Sequence, residues 1–294
     1  MKRILCIDGG GMRGLIPAVV LAELERKAKK PCHEIFDLIS GTSIGGILAA
    51  LLSSGVPASE TIQFFTEDGP RIFHRRLWRS FGWLAPRYPA GPLEAVLKKK
   101  LGGARLSNCK TKIVVPALNV ATQAPVFFNN FEGSPDYFLW QIARGSSAAQ
   151  TYFPAFRLDG MILWDGGNEA NNPSACAAAD AFRQWGDEPL QMLSLGCGES
   201  LAKITPKKLI NPGLIRAGLA SVALLFEASS NDADYQMKQS LGANYFRIQP
   251  GLKTPLSLDD ASPQGIIRLR EAAQNCAREY DGDIDRFLRG LSLA

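Results

Sequence analysis

The sequence predicts an α/β fold with a mostly parallel central sheet, and three observations support this prediction. Short apolar runs typical of buried strands alternate along the chain with longer runs typical of helices. Two of the predicted strands, residues 3–8 and 35–39, end in glycine-rich turns that pass directly into helices. No linker rich in Pro, Gly or Ser divides the 294 residues, so we expect a single domain over residues 1–294.

The composition is ordinary for a soluble globular protein, with 46% hydrophobic and 21% charged residues. The net charge of +5 is a mild excess that favours an anionic surface only where it is concentrated. No apolar stretch reaches the about 18 residues expected of a membrane-spanning helix. The six cysteines are scattered without a C-x-x-C pair, which favours reduced thiols and a cytoplasmic location.

The first motif of interest is Gly41-Thr42-Ser43-Ile44-Gly45, which has the Gly-x-Ser-x-Gly pattern of a nucleophile elbow. It lies between the predicted strand 35–39 and a predicted helix. Gly41 and Gly45 leave room for a tight strand-to-helix reversal. The amino end of the helix would direct its positive dipole at the Ser43 hydroxyl. The pattern alone is weak, but the flanking strand and helix favour a catalytic serine.

A second glycine-rich turn, Gly9-Gly10-Gly11-Met12-Arg13-Gly14, follows the first strand and allows two interpretations. The Gly-x-Gly-x-x-Gly spacing fits a dinucleotide-binding loop, but Asp8 would place a carboxylate beside the pyrophosphate. Alternatively, the loop presents the N–H groups of Gly10 and Gly11 to a developing oxyanion. Consecutive βαβ strands are usually neighbours in a parallel sheet, so we expect this loop to lie beside Ser43.

The base that would activate the serine is the next question, because a serine nucleophile needs one within hydrogen-bond reach. The chain has only two histidines, His33 and His74. An α/β-hydrolase triad places its histidine after the serine and the acid, and no histidine follows position 74, so we do not expect a conventional triad. Asp165, at the end of the predicted strand 161–164, is the remaining candidate; its purely structural interpretation is a turn or helix cap.

The basic excess is concentrated in residues 71–89, where five arginines are interleaved with Phe73, Trp78, Phe81, Trp83 and Tyr88. This segment is interpreted either as a packed excursion with solvated arginines or as a lid that contacts lipid headgroups and acyl chains. Stacking on nucleic-acid bases is a third interpretation, although we expect no nucleic-acid partner. The sequence leaves the choice between excursion and lid open.

Three motifs form a recognisable set: Asp8 to Gly14, Gly41 to Gly45, and Asp165-Gly166-Gly167. In that order they resemble the patatin-like phospholipase family. The resemblance extends over nearly the whole chain and includes a small-residue helix end before Phe153-Pro154. Gln150 and Cys197 depart from the family pattern, where Pro and Thr are usual, but neither position is catalytic.

The resemblance implies a three-layer α/β/α fold and a lipid acyl hydrolase of the phospholipase A type, which cleaves membrane phospholipid esters through an acyl-enzyme. It implies Ser43 as nucleophile and Asp165 as base, with the N–H groups of Gly10 and Gly11 as the oxyanion hole. Arg13 would support that loop or contact the substrate phosphate. Neither a metal nor a cofactor is implied, and the phospholipid membrane surface would be contacted peripherally.

The Asp-Gly-Gly motif followed by Asn171-Asn172-Pro173 resembles one branch of the family, the bacterial anti-phage effectors switched on by cyclic di- or trinucleotides. Such an activator and a homo-oligomeric state are therefore further hypotheses. The alternative function is a nucleotide-binding signalling module that uses Gly9–Gly14 for phosphates and has no lipase activity. A pseudoenzyme or scaffold is a third class, which the intact motifs disfavour.

Overall fold

Strands and helices alternate along most of the chain. The computed structural model describes residues 1–74, 85–200, 214–252, 254 and 256–290. Its strands are β1 (Lys2–Ile7), β2 (Leu38–Gly41), β3 (Lys112–Asn119), β4 (Ala124–Asn129), β5 (Phe156–Leu158), β6 (Met161–Trp164), β7 (Leu190–Leu195), β8 (Glu199–Ser200), β9 (Tyr245–Ile248) and β10 (Gly251–Leu252). Its α-helices are α1 (Leu15–Ala28), α2 (Cys32–Ile35), α3 (Ile44–Ser54), α4 (Ala58–Gln63), α5 (Gly69–Ile72), α6 (Ala90–Leu101), α7 (Leu139–Ser146), α8 (Gly167–Ala170), α9 (Ser174–Trp185), α10 (Leu214–Leu241), α11 (Pro263–Glu279) and α12 (Asp281–Arg289).

The central sheet has the strand order β5–β6–β3–β2–β1–β7–β9, with β4 paired to β3 beside that path. Strand β1 is parallel to both of its neighbours, β2 and β7. The pairs β2–β3 and β7–β9 are also parallel, whereas β4 and β6 run antiparallel to β3. The predicted α/β class with a mostly parallel sheet is therefore confirmed.

The sheet is covered by helices on both faces, because successive side chains of its strands point to opposite sides. In β1, Leu5 and Ile7 pack into the larger hydrophobic core with helices α1, α3, α11 and α12. Ile4 and Cys6 pack into a second core with α9 and α10 on the other face. This arrangement is the three-layer α/β/α architecture that the sequence resemblance implies.

The predicted strand over 35–39 is shifted in the structure. Ile35 ends the short helix α2, and β2 begins only at Leu38. Asp37 lies before the strand, where its carboxylate accepts the Arg3 N–H at 2.8 Å. The apolar run therefore spans a helix end and a strand start, and periodicity alone does not separate the two.

Strands β2 and β6 meet head to head along one edge of β3. Strand β2 pairs with Lys112–Val114, while β6, running in the opposite direction, pairs with Leu118 and Asn119. The opposite edge of β3 is occupied by β4 over the same stretch. The turns that follow β2 and β6 consequently face each other across the middle of β3, and this topology brings together residues 43 and 165.

Within the described residues, no helix is both long enough and apolar enough to cross a bilayer. All six cysteines are free thiols, with Cys109 and Cys176 half-buried and the others buried.

The amino end of α3 packs directly against the backbone at the end of β1, which requires glycine at position 45. A methyl group built on Gly45 would lie 2.1 Å from the Ile7 carbonyl oxygen. A methyl group on Gly91, within the first turn of α6, would meet nothing within 4 Å. These two glycines provide a matched pair of helical positions.

We therefore predict opposite effects of one substitution at the two sites. Gly45→Ala should lower the free energy of unfolding by about 1–3 kcal/mol or more, because overpacking forces the backbone apart. Gly91→Ala should raise it by about 0.4–1 kcal/mol, because the unfolded chain loses conformational freedom. Urea denaturation followed by circular dichroism measures both; equal stability of the Gly45→Ala variant and the wild type would contradict the packing described here.

Candidate active site

Ser43 lies at the tip of the turn between β2 and α3. Its backbone has φ +55° and ψ −118°, a conformation that L residues rarely adopt and that costs of order 1–3 kcal/mol. The surrounding structure stabilises the strained turn: the Ser43 N–H donates to Ser146 Oγ at 2.9 Å, and the Thr42 hydroxyl donates to the Ala170 carbonyl at 2.6 Å. The serine side chain is thereby held out from the turn.

Glycine is needed at both ends of this turn. A methyl group on Gly41 would lie 2.0 Å from the Gly45 carbonyl oxygen, and one on Gly45 would strike β1. At the neighbouring loop, a methyl group on Gly14 would lie 2.6 Å from Ile44 Cγ1. These glycines permit the close approach between the two turns, as the sequence predicts.

Asp165 follows β6 and reaches the serine from the opposite direction. The Ser43 hydroxyl donates a hydrogen bond of 2.6 Å to Asp165 Oδ2. The other carboxylate oxygen, Oδ1, accepts the Gly167 N–H at 2.8 Å. Gly166 lets the chain pass close to β3, since a methyl group there would lie 2.3 Å from the Pro116 carbonyl oxygen. Both carboxylate oxygens are therefore engaged, one of them by the serine.

Burial controls the protonation of Asp165, whose side chain is almost inaccessible to solvent. Removal from water raises the pKa of this carboxyl to about 6, although the hydrogen bonds from Ser43 and Gly167 oppose the shift. Its ionised form is disfavoured in the folded protein, so the stability that this group contributes falls as the pH rises toward 6. The carboxylate is correspondingly a stronger base than an exposed aspartate.

The glycine loop after β1 lies beside the serine. A methyl group on Gly9 would lie 3.4 Å from Ser43 Cβ, and the Gly9 N–H donates to the Asn171 carbonyl at 3.0 Å. In the described part of the chain, the N–H groups of Gly10 and Gly11 donate to no acceptor. Unpaired backbone donors beside a serine hydroxyl are what an oxyanion hole requires.

The loop is packed too tightly for side chains. A methyl group on Gly10 would lie 2.3 Å from Cys197 Cβ. Gly11 has φ +56°, and a methyl group there would lie 2.3 Å from the Leu258 carbonyl oxygen, which also accepts the Met12 N–H at 2.8 Å. The positions of the two free N–H groups are thus fixed by the turn after β7 and by the 256–261 segment.

Arg13 lies at the end of this loop. Its N–H donates to the Gly10 carbonyl at 3.1 Å and closes the loop. Its guanidinium donates to the Gly198 carbonyl at 3.1 Å. Burial lowers the pKa of Arg13. These contacts tie the glycine loop to the turn after β7.

Neither histidine contacts the serine within the described residues. His33 lies in α2, which precedes β2 at the opposite end of the sheet, and its Nε2 is 3.9 Å from Glu34 Oε1. His74 is exposed and comes immediately before residues that are not described. The Ser43–Asp165 pair therefore forms without a histidine.

Several residues near the site have contacts that the sequence analysis did not assign. Ser146 at the end of α7 accepts the Ser43 N–H, and Asn171 accepts the Gly9 N–H. Both belong to stretches noted for their resemblance to the family, but a backbone contact leaves no spacing signal of its own. Arg247, which contacts Asp8, lies on β9, a strand that the sequence analysis did not predict.

The proposed lid falls largely outside the described residues. Residues 75–84, which include Trp78, Phe81 and Trp83, are not described. At the flanks, the rings of Phe73 and Tyr88 pack edge to face with centroids 5.2 Å apart. The Tyr88 hydroxyl donates to Asp259 at 2.8 Å. The aromatic residues at both ends of the segment therefore belong to the core, as the excursion interpretation expects.

Comparison with known proteins identifies the protein family of this chain. A family model described as patatin-like phospholipase matches residues 5–176, which contain the elbow, the glycine loop and Asp165. The chain belongs to the patatin-like phospholipase family.

The chain is similar to individual known proteins over most of its length. The chain is 32% identical over 300 residues to a cGAMP-activated phospholipase of Pseudomonas aeruginosa (strain BWHPSA011 / Pa011), covering 95% of this chain and 89% of the relative. It is 30% identical over 333 residues to patatin-like protein 2 of Oryza sativa subsp. japonica, covering 92% and 82%. Among solved structures, VipD from Legionella pneumophila matches with a TM-score of 0.46 and 11% identity, over 93% of this chain and 67% of that one.

The raised pKa of Asp165 predicts how ester hydrolysis depends on pH. If Asp165 is the base for Ser43, the rate should rise with pH and reach half its plateau at about pH 6, because only an ionised carboxylate accepts a proton. The measurement is kcat/KM for a soluble short-chain ester, determined from initial rates between about pH 4.5 and 8.5. A midpoint near that of an exposed aspartate, with the fold intact by circular dichroism, would contradict a buried base.

Proposed function

We propose that the protein is a lipid acyl hydrolase of the phospholipase A type that acts through a Ser43–Asp165 dyad. The observation that carries this proposal is the 2.6 Å hydrogen bond from the Ser43 hydroxyl to a buried carboxylate, next to a glycine loop whose Gly10 and Gly11 N–H groups donate to no acceptor among the described residues. Membership in a phospholipase family supplies the substrate class.

In the acylation step, Asp165 takes the proton of the Ser43 hydroxyl as Oγ attacks the ester carbonyl carbon. The carbonyl oxygen becomes an oxyanion, which the N–H groups of Gly10 and Gly11 stabilise. Asp165 then returns the proton to the departing alcohol oxygen as the carbon–oxygen bond breaks. The products are a lysophospholipid and a Ser43 acyl-enzyme.

In the deacylation step, the same groups act on water. Asp165 takes a proton from a water molecule that attacks the acyl carbon, and the loop donors again hold the oxyanion. Collapse of the tetrahedral intermediate breaks its bond to Ser43 Oγ, which regains the proton from Asp165. The fatty acid leaves and the dyad returns to its initial state.

A carboxylate is a weaker base than an imidazole, so a Ser–Asp dyad depends more on its surroundings than a serine activated by histidine does. Burial raises the pKa of Asp165 to about 6, which reduces the difference from a histidine of ordinary pKa. Removing one oxyanion donor typically costs about 10²–10³ in kcat, so a rigid loop is a large part of such a mechanism.

The wider setting of the enzyme is also part of the proposal. We place the substrate in the phospholipid surface of a membrane, contacted peripherally from the cytoplasm, with residues 71–89 as a candidate contact segment. We treat residues 1–294 as one patatin-like domain. Strands β7 and β9, which lie beyond residue 176, support this, because they extend the same sheet next to β1.

A cyclic nucleotide activator is proposed from a relative. The Pseudomonas aeruginosa protein described as a cGAMP-activated phospholipase aligns with 95% of this chain. We extend activation by a cyclic di- or trinucleotide, and with it a role as an anti-phage effector, to this protein as a hypothesis. A homo-oligomeric active form belongs to the same hypothesis.

The alternative, a nucleotide-binding module without lipase activity, has less support. Its phosphate would use the donors of the Gly9–Gly14 loop, but Gly9 packs beside Ser43. A phosphate there would occupy the place of the ester. Labelling of Ser43 by a fluorophosphonate separates the two functions, because only a nucleophilic serine reacts.

The first prediction concerns the nucleophile. Ser43→Ala should abolish fatty acid release from phosphatidylglycerol vesicles and labelling by a fluorophosphonate, because no nucleophile remains. Ser54→Ala is the matched control at the other end of α3, where the hydroxyl bonds only to the Leu51 carbonyl. It should keep the wild-type rate. Full activity of folded Ser43→Ala protein would refute the assignment.

The second prediction concerns activation. Cyclic GMP-AMP or another member of a panel of cyclic di- and trinucleotides should raise the rate of vesicle hydrolysis about tenfold, within the usual range of allosteric coupling. Linear dinucleotides of the same bases serve as controls, and light scattering reports the oligomeric state in the same samples. Rates that are unchanged across the panel would remove the activator hypothesis and leave the dyad untouched.

A further inference from the structure

An arginine from the carboxyl-terminal part of the chain reaches the strand end that carries the glycine loop. Arg247 on β9 donates from Nη1 to Asp8 Oδ1 at 2.8 Å and from Nη2 to Asp8 Oδ2 at 2.6 Å. The two side chains are 9% and 2% exposed. A two-point contact of this kind fixes the carboxylate in orientation as well as in position.

Asp8 immediately precedes the loop, and its other polar groups are fixed too. Its N–H donates to the Leu195 carbonyl at 2.9 Å, and its own carbonyl accepts from Cys197 Sγ at 3.3 Å. The Ser230 hydroxyl donates to Oδ2 at 3.2 Å. The residue before the two proposed oxyanion donors therefore has little freedom to rotate.

The same arginine also reaches the loop by a second route. Its Nη1 donates to Ser194 Oγ at 2.8 Å, and Ser194 lies 3.4 Å from Asn172 Oδ1. The neighbouring Asn171 accepts the N–H of Gly9. A buried polar network thus connects β9 to both ends of the Asp8–Gly9 pair.

Charge gives Arg247 a second effect on the site. Burial by itself lowers the pKa of the Arg247 guanidinium, but the adjacent Asp8 carboxylate outweighs burial and the pKa is raised, so the cation is retained. Without the Arg247 cation, the Asp8 carboxylate would be a buried, unpaired negative charge two residues before the proposed Gly10 donor. That charge would oppose the negative charge that develops on the oxyanion.

We propose that Arg247 is a positioning residue for the oxyanion loop, acting through Asp8 to hold the Gly10 and Gly11 donors and to neutralise the carboxylate beside them. It touches no reacting atom. The proposal rests on the hydrolase function proposed above, and it adds a residue beyond the 5–176 segment that matches the family.

A cavity makes this proposal testable by chemical rescue. Arg247 lines a cavity of about 460 Å³ between β9, α10 and α12, together with Asn231, Gln249 and Tyr280 among others. A small guanidinium compound has a route through this cavity to the space that a shortened side chain would leave.

The experiment compares Arg247→Ala with the wild type, with and without millimolar methylguanidinium, on a soluble short-chain ester. We expect kcat to fall about 10- to 100-fold with KM little changed, because the loss concerns transition-state stabilisation. Methylguanidinium should restore part of kcat in the variant and none in the wild type. All rates are taken below the unfolding midpoints, which are measured separately.

Arg3→Met is the matched control, since Arg3 anchors the other end of β1 through the Gly290 carbonyl at 2.8 Å. Its kcat should equal that of the wild type and should not respond to methylguanidinium. If Arg247→Ala does not fold, the charge-neutral pair Asp8→Asn/Arg247→Met replaces it, and its kcat should lie below the wild type.

The outcomes separate the two proposals. A folded Arg247→Ala protein with wild-type kcat, or a neutral pair with wild-type kcat, would overturn the role of Arg247 and leave the dyad standing. A wild type that hydrolyses no ester and is not labelled by a fluorophosphonate, both without and with the panel of cyclic nucleotides, would overturn the hydrolase function itself, and the positioning role with it.

Discussion

The contact between the first turn of α3 and the end of β1 is the constraint on which the site depends. Gly45 lies against the Ile7 carbonyl with no room for a side chain. With this contact in place, the glycine loop lies next to the serine turn, so that a methyl group built on Gly9 would lie only 3.4 Å from Ser43 Cβ. The strained Ser43 backbone is held in place by Ser146 from a third element. A looser helix start would separate the nucleophile from the donors.

Two buried aspartates near this contact differ in whether a cationic side chain is paired with them. Asp8 is paired with a guanidinium through both of its oxygens. Asp165 has no cationic partner in the described part of the chain and receives only hydrogen bonds from Ser43 and Gly167. A paired carboxylate is a fixed anion suited to anchoring, whereas an unpaired one has its pKa raised by burial and is suited to proton transfer. The presence of a cationic partner, more than the degree of burial, distinguishes Asp8 from Asp165.

Much of this arrangement could be predicted from the sequence. The two Gly-rich turns predicted that the ends of β1 and β2 would be adjacent. Because no histidine follows position 74, Asp165 was the remaining candidate for the base. These inferences rest on local patterns, in which the chain's own neighbours determine the geometry. The family membership and the three-layer α/β/α fold were also predicted correctly, from the resemblance of the three motifs to the patatin-like phospholipase family.

The remaining contacts could not be predicted, because they join residues that are far apart in the chain. In the sequence, nothing distinguishes Arg247 from other charged residues. It lies close to Asp8 because β9 pairs with β7 in the sheet. The Ser146 hydroxyl oxygen accepts the backbone N–H of Ser43, a donor that no residue type in the sequence specifies. The boundary error at Ile35 has a local cause, since one apolar run spans a helix and a strand.

The central place of β1 has a consequence for how the protein is made. Lys2 pairs with Leu190, so β1 obtains its second neighbour only after the chain as far as β7 has been synthesised. Pairings between such distant segments form slowly. Until then one edge of β1, whose last four residues are apolar, remains unpaired, and an open edge of this kind favours association with other chains. The nascent chain therefore has a long interval in which chaperone protection of its first strand would matter most.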